Sequence, residues 1–418
     1  MSVPIAHVPW SRQANIYAVN IRQYTPEGTL AAFEAQLPRL QKMGVTLLWL
    51  LPIQPIGRLN RKGILGSYYS IADYTAVNPE FGTLADFKRL VNAAHALGMK
   101  LILDWVANHT AWDHAWVAEH PDWYKKDSRG EIHAYTYRAT PESGNSGEPE
   151  YWTDVVGLDY AKAPALWPAM IEAMRFWRTE AGIDGFRCDV AALVPLPFWL
   201  QARAALEWDG PLFMLAEAHE PELHAAFDMT YDWDLVDQLK AIAQGEAQAQ
   251  ALRDWWQRRQ SHYAADDYRM IYTANHDSNS WHGCDAELFG SVAAFKAMSV
   301  LAATLPGMPL IYGGQEAYFE KRLQFFEQDP IDWKGRALEA HYADLLALKA
   351  AHPALGNGAH GGMAIHETGN EAVFAFTRER GGDAVTVCVN LGAEPQSFTR
   401  PGGARGSLGG WAWEISCA

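Results

Sequence analysis

One rhythm constrains this sequence more than any other feature. Short, largely apolar runs alternate with stretches whose apolar residues recur at helical spacing. The runs include "NIYAVNI" (15–21), "VTLLWLLP" (45–52), "KLILDWV" (100–106), "IDGFRCDV" (183–190), "PLFMLAEA" (211–218), "RMIYTANH" (269–276) and "MPLIYGG" (308–314). Between them lie "LAAFEAQLPRLQKMG" (30–44), "LADFKRLVNAAHALG" (84–98), "PALWPAMIEAMRFWRTEAG" (164–182) and "GSVAAFKAMSVLAATLPG" (290–307), with "GRALEAHYADLLALKAAHPAL" (335–355) as the last long helix. Strands apolar on both faces belong to parallel sheets covered by helices. Repeated on this scale, the units predict an α/β fold, a parallel (β/α)8 barrel. Seven strands are distinct; the sixth, near "AFDMTYDW" (226–233), is weak.

The rhythm breaks twice. Residues 110–160 are rich in Trp, Tyr, Pro, Gly and charge, and predict an excursion after the third strand with little regular structure. After about residue 356 come short strand-like runs, "GMAIHET", "AVFAFTRER", "AVTVCVN" and "GSLGGWAWEIS". The expected organisation is therefore a barrel over 1–109 and 161–355, an inserted excursion over 110–160, and a C-terminal antiparallel β-sandwich over 356–418.

A net charge of −15 disfavours nucleic acid and anionic membranes as partners. A neutral substrate is not repelled. Eighteen tryptophans and seventeen tyrosines stand out; core packing accounts for most such rings, and platforms in a wet cleft are the functional alternative. Flat apolar faces with polar edges suit sugar rings. The four cysteines, Cys188, Cys284, Cys388 and Cys417, fit neither a metal knuckle nor a disulfide scaffold, so free thiols are expected. The N-terminal "MSVPIAHVPWSRQ" shows no signal-peptide pattern and no run is long enough to span a bilayer, which points to a cytoplasmic protein.

In such a barrel the chemistry sits at the C-terminal ends of the strands. Asp104, Asp189, Glu217 and Asp277 end four of them, with Asn108, His109 and His276 beside them. Charges at the ends of apolar runs are costly unless paired or used. Clustered carboxylates, without a Gly-rich phosphate loop, point to glycoside hydrolysis or a divalent metal site.

The same stretches resemble the ordered sequence regions of the α-amylase family of glycoside hydrolases: "DWVANH" (104–109), "GFRCDVA" (185–191), "LAEAHE" (215–220) and "YTANHD" (272–277). "GSYYSIADYTAVNPEFGT" (66–83) and "LPGMPLIYGGQE" (305–316) resemble two further family segments. The resemblance implies a retaining hydrolase of α-1,4-glucosidic bonds in starch, glycogen or maltooligosaccharides. Asp189 would be the nucleophile, Glu217 the acid/base, and Asp277 the group that holds sugar hydroxyls. Arg187 would keep Asp189 ionised. His109 and His276 would donate to the sugar, Tyr69 would stack on it with Tyr68 as the rival, Asp104 would support Arg187, and Arg322 would touch the next sugar. The family often binds Ca²⁺ near this site. Asn108 and Asp159 match two ligands, no full oxygen set is legible, and no organic cofactor is implied. After the nucleophile, "VAALVP" lacks the lysine and histidine typical of α-amylases. Val190 is similar to the residue of relatives that act on α-1,6 bonds or short oligosaccharides. An exo-acting α-glucosidase, a transglycosylase and, remotely, a non-catalytic carbohydrate-binding member stay open, as does the oligomeric state.

Overall fold

A computed structural model describes residues 5–137, 149–359 and 362–418. Eight strands close into a parallel barrel: β1 (Ile16–Val19), β2 (Leu47–Leu50), β3 (Lys100–Trp105), β4 (Gly185–Cys188), β5 (Phe213–Ala216), β6 (Met229–Tyr231), β7 (Tyr268–Ile271) and β8 (Met308–Tyr312). β1 pairs with β8 to shut the ring. The weak sixth strand is real but has only three residues. Nearly every strand residue is buried, because barrel side chains fill the inside and helices cover the outside.

The stretch expected as one helix over 30–44 is two, Leu30–Glu34 and Leu37–Met43. Pro38 sits at the start of the second. It has no N–H to bond backward, and its ring crowds the preceding turn. The second helix closes on Gly44 at φ 97°, a left-handed conformation that suits a residue without Cβ.

Residues 110–160 hold more regular structure than their composition predicts. His109–Ala111, Ala134–Tyr137 and Glu150–Gly157 form a three-stranded sheet, with Glu150–Gly157 central and antiparallel to both neighbours. Tyr135 and Trp152 pack across it at 5.3 Å. Aromatic cross-strand pairs stabilise such a sheet, and apolar alternation was too short to show it in sequence. Residues 138–148 of the excursion lie outside the described residues.

At the C-terminus, a four-stranded antiparallel sheet (Gly362–His366, Val373–Arg380, Asp383–Asn390, Trp413–Cys417) faces a two-stranded one (Gln396–Thr399, Arg405–Leu408). Val373, Ala375, Cys388, Phe398 and Leu408 fill the space between them. The run "GSLGGWAWEIS" contributes to two strands rather than one, because Gly409 and Gly410 break it. Arg378 ties this part to the barrel by donating to Thr304 O (3.0 Å) and Gly356 O (2.9 Å). All four cysteines are free. Among the described residues no helix is long and apolar enough to cross a membrane.

Gly185 is required by strand spacing. A Cβ there would lie 1.8 Å from Phe213 O on β5. Gly185→Ala is expected to force β4 and β5 apart and cost at least about 3 kcal/mol, measured by chemical denaturation; a variant within about 0.5 kcal/mol of the parent would contradict this reading.

Candidate active site

The site is built by register. Asp104 on β3 lies directly opposite Arg187 on β4. Arg187 and Asp189 share a face because strand side chains repeat every two residues. The parallel ladder continues past the strand ends, with Asp189 N donating to Trp105 O (2.9 Å) and Glu217 N donating to Cys188 O (3.0 Å). Asp189 and Glu217 are thereby placed side by side on one rim.

Arg187 is fully buried at the centre. Its Nη1 donates to Asp104 Oδ1 (2.9 Å) and Asp189 Oδ1 (2.8 Å). Its Nε donates to the Tyr231 hydroxyl (3.1 Å). Nη2 stands 2.6 Å from Glu217 Oε1, but the angle makes this an ion contact and not a hydrogen bond. Trp49, Tyr69 and Tyr231 present their rings to the guanidinium at 5.0, 5.8 and 5.9 Å, an arrangement favourable to a cation. Sequence reasoning missed Trp49 and Tyr231. Trp49 reads as one more apolar residue of a strand, yet its Nε1–H donates to Asp104 Oδ2 (3.1 Å). Tyr231 lies in the weakest strand.

Exposure divides the carboxylates. The side chain of Asp104 is 0% exposed, and those of Asp189 and Glu217 are 10% and 14% exposed. Asp277 is open at 38%. A ligand can therefore reach three of the four, while Asp104 lies beneath them.

Burial raises all three carboxyls around Arg187. Glu217 is pushed up to about 8 by burial and by the charges of Asp189 and Asp277, against the pull of Arg187. Asp189 rises to about 7 and Asp104 to about 6, for the same reason and with the same opposing cation. Such a cluster titrates as a unit. Glu217 is lifted furthest and takes no hydrogen bond from the guanidinium, whereas Asp189 accepts one, so the cation favours the charged form of Asp189 over that of Glu217.

Val190 adjoins this pair with φ 37° and ψ 48°, a strained conformation for a β-branched residue. The twist aims its N–H at Glu217 Oε2 (2.7 Å).

The predicted aromatic and histidine residues gather around the cluster. The Tyr69 hydroxyl bonds Asp104 Oδ2 (3.1 Å) and His276 Nε2 (2.7 Å). His276 Nε2 also lies 3.3 Å from Asp277 Oδ2. Tyr68 is the more buried of the two tyrosines and packs on Phe325 at 4.6 Å. His109 is buried against Trp152 and Tyr135 and bonds the Tyr69 backbone. Burial holds His109 down at about 3 and His276 at about 4, so both rings are neutral near pH 7. Arg322 is spent elsewhere. It pairs with Glu287 (2.8 Å) and donates to Trp281 O (3.3 Å).

The candidate cation ligands are also engaged. Asn108 Nδ2 donates to His109 Nδ1 (3.1 Å), and its side chain bonds Tyr135. Asp159 Oδ1 accepts from Lys162 N (3.2 Å), and Oδ2 faces Lys162 Nζ (3.5 Å). Ca²⁺ takes about six to eight oxygens. Among the described residues no group of three or more His, Cys, Asp or Glu could hold a metal ion.

Arg187→Met leaves three clustered carboxyls without their cation, an expected loss of about 3–5 kcal/mol at neutral pH. For a carboxyl whose folded value is raised, stability is complete below its unfolded value and is lost as pH rises toward the folded one. The variant's deficit should therefore be smaller at pH 5 than at pH 7.5 in thermal denaturation. An equal deficit at both would contradict the charge assignment.

Comparison with known proteins identifies relatives of this chain. The family model described as "Alpha amylase, catalytic domain" matches residues 11–207. The solved structure of an alpha-amylase from Lactobacillus plantarum is 30% identical, with a TM-score of 0.84 over 98% of this chain and 99% of that one. A noncanonic maltogenic alpha-amylase from Thermotoga neapolitana is 28% identical, with a TM-score of 0.85 over 97% and 98%. Among curated proteins, an alpha-amylase of Haloarcula japonica is 28% identical over 95% of this chain and 58% of its own length. An alpha-1,4-glucan:maltose-1-phosphate maltosyltransferase of Rhodospirillum rubrum is 29% identical over 88% and 55%. The chain thus spans a little over half the length of these curated relatives. With its closed barrel and the carboxylates on its rim, the chain belongs to the α-amylase family.

Proposed function

We propose that this protein cleaves α-1,4-glucosidic bonds of α-glucans or maltooligosaccharides by double displacement with retention. The observation that carries the reading is Arg187, one buried guanidinium between the rim carboxyls of Asp189 and Glu217. That bridge keeps the two groups close, which favours the retaining class over the wider, water-admitting spacing of inverting enzymes.

In the first step the Asp189 carboxylate attacks the anomeric carbon while Glu217 gives its proton to the glycosidic oxygen. The C–O bond breaks and the leaving sugar departs as an alcohol. In the second step Glu217, now ionised, takes a proton from water, the water oxygen bonds the anomeric carbon, and Asp189 is released. Asp277 holds ring hydroxyls more tightly as the ring flattens, which lowers the barrier rather than only binding substrate. Neutral His276, oriented by the Tyr69 hydroxyl, serves the same sugar.

Transfer to a sugar acceptor is the second reading. It is favoured by the maltosyltransferase among the relatives and by the apolar Val190, Ala191, Ala192 and Leu193 that follow the nucleophile. Chromatography of maltoheptaose digests separates the two. Shorter maltooligosaccharides support hydrolysis within the chain; chains longer than the substrate establish transfer, and glucose alone establishes exo action.

Asp189→Asn and Glu217→Gln should each lower kcat by about 10²–10⁴ or more, with thermal stability kept. Wild-type rates in either variant would overturn the assignment. The alkaline limb of kcat/KM should reflect Glu217. Its raised value keeps it protonated below about 8, so activity should fall as pH rises past that point. A limb with its midpoint below pH 6 would contradict Glu217 as the acid. Because Asn108 and Asp159 are bonded elsewhere, we propose that activity does not depend on Ca²⁺. Dialysis against EDTA should leave rate and melting temperature unchanged, whereas a loss restored by Ca²⁺ would contradict this.

A further inference from the structure

Asp277 is followed at once by a π-helical turn, Ser278–His282. Gly283 N closes it by donating to Ser278 O at 2.8 Å. Such widened turns are rare and concentrate at functional sites. This one carries Trp281 to the rim, where the ring is 50% exposed. An exposed side chain on a loop ordinarily has freedom to swing, but Trp281 is braced. Phe325 lies 5.1 Å from it and Phe326 5.9 Å. Arg322 holds its backbone carbonyl while anchored on Glu287. Asn279 ties the turn to the following loop, its Oδ1 accepting from Leu323 N (2.9 Å).

The brace continues to the reaction centre. Phe325 lies 6.3 Å from Tyr69 with the ring planes 15° apart. Tyr69 is in turn 5.7 Å from His276 at 23°. A track of rings thus runs from the carboxylate cluster toward the solvent, with Trp281, tilted 39° to Phe325, at its outer end.

We propose that Trp281 is the outer sugar-stacking platform for an extended α-glucan chain, with Arg322 as the positioning residue that holds it. This rests on the reading of the site as α-glucan-cleaving. An indole face offers the greatest area to the apolar face of a glucose ring, and it suits a neutral ligand that the acidic protein does not repel. The track places it two ring-to-ring steps from Tyr69. A short substrate ends before reaching it, and a longer one lies on it. Trp281 therefore determines chain-length preference without taking part in bond cleavage. Arg322 gains a role different from the direct sugar contact that the resemblance implies.

The test is kcat and KM of the full chain and its Trp281→Ala variant on maltotriose and maltoheptaose. The expected result is a drop of about tenfold in kcat/KM for maltoheptaose, mostly through KM, and a much smaller change for maltotriose. Trp281→Phe should recover most of the loss. Arg322→Ala should reproduce part of it with the same bias toward the longer substrate. Equal losses on both substrates, or none on either, would overturn the platform while leaving the catalytic assignment standing. A parent protein that cleaves neither substrate would remove the catalytic reading, and the platform with it.

Discussion

Everything at the rim of this barrel depends on a buried arginine surrounded by carboxylates. Burying Arg187 is expensive unless its charge is met on several sides. Asp104 meets it from β3, Asp189 from the end of β4, Glu217 from the end of β5, and three aromatic rings cover the rest. The arrangement cuts both ways. One cation cannot satisfy three carboxyls, so the cluster retains a proton under conditions where isolated acids would have lost theirs. A surplus of buried acid over buried base raises both outer carboxyls, and under the proposed reading that is the setting in which an acid and a nucleophile work side by side.

The barrel supplies this without strain over most of its length. Parallel register sets Asp104 against Arg187, and the two-residue repeat sets Arg187 beneath Asp189. Beside the rim carboxylates the backbone departs from this regularity. Val190 adopts a left-handed backbone so that its N–H reaches Glu217, and the turn after Asp277 widens into a π-helix. Both departures adjoin a rim carboxylate.

The fold and the carboxylates were legible in the sequence because each rests on a local pattern. Apolar runs with helical spacers betray a barrel, and a polar residue ending an apolar run betrays its rim. What escaped depends on contacts distant in sequence. Trp49 and Tyr231 hold Asp104 and Arg187, but nothing local separates them from core aromatics. The sheet inside 110–160 is assembled from short, separated segments, and its pairing is decided by Tyr135 against Trp152. The amphipathic spacing over 30–44 runs straight through Pro38, so periodicity alone does not reveal the break that its ring imposes. Motif position implies a sugar contact for Arg322, whereas its geometry is set by Glu287, which motif order does not reveal.

The central claim is that Asp189 forms a bond to the sugar while Glu217 moves the proton. A fluorinated α-glucosyl fluoride slows breakdown of such an intermediate more than its formation, most of all in the Glu217→Gln variant. Mass spectrometry of the intact protein after this treatment, followed by peptide mapping, should find one added glycosyl group on the peptide bearing Asp189. A label on another carboxylate, or no label together with a product of inverted anomeric configuration, would contradict the account.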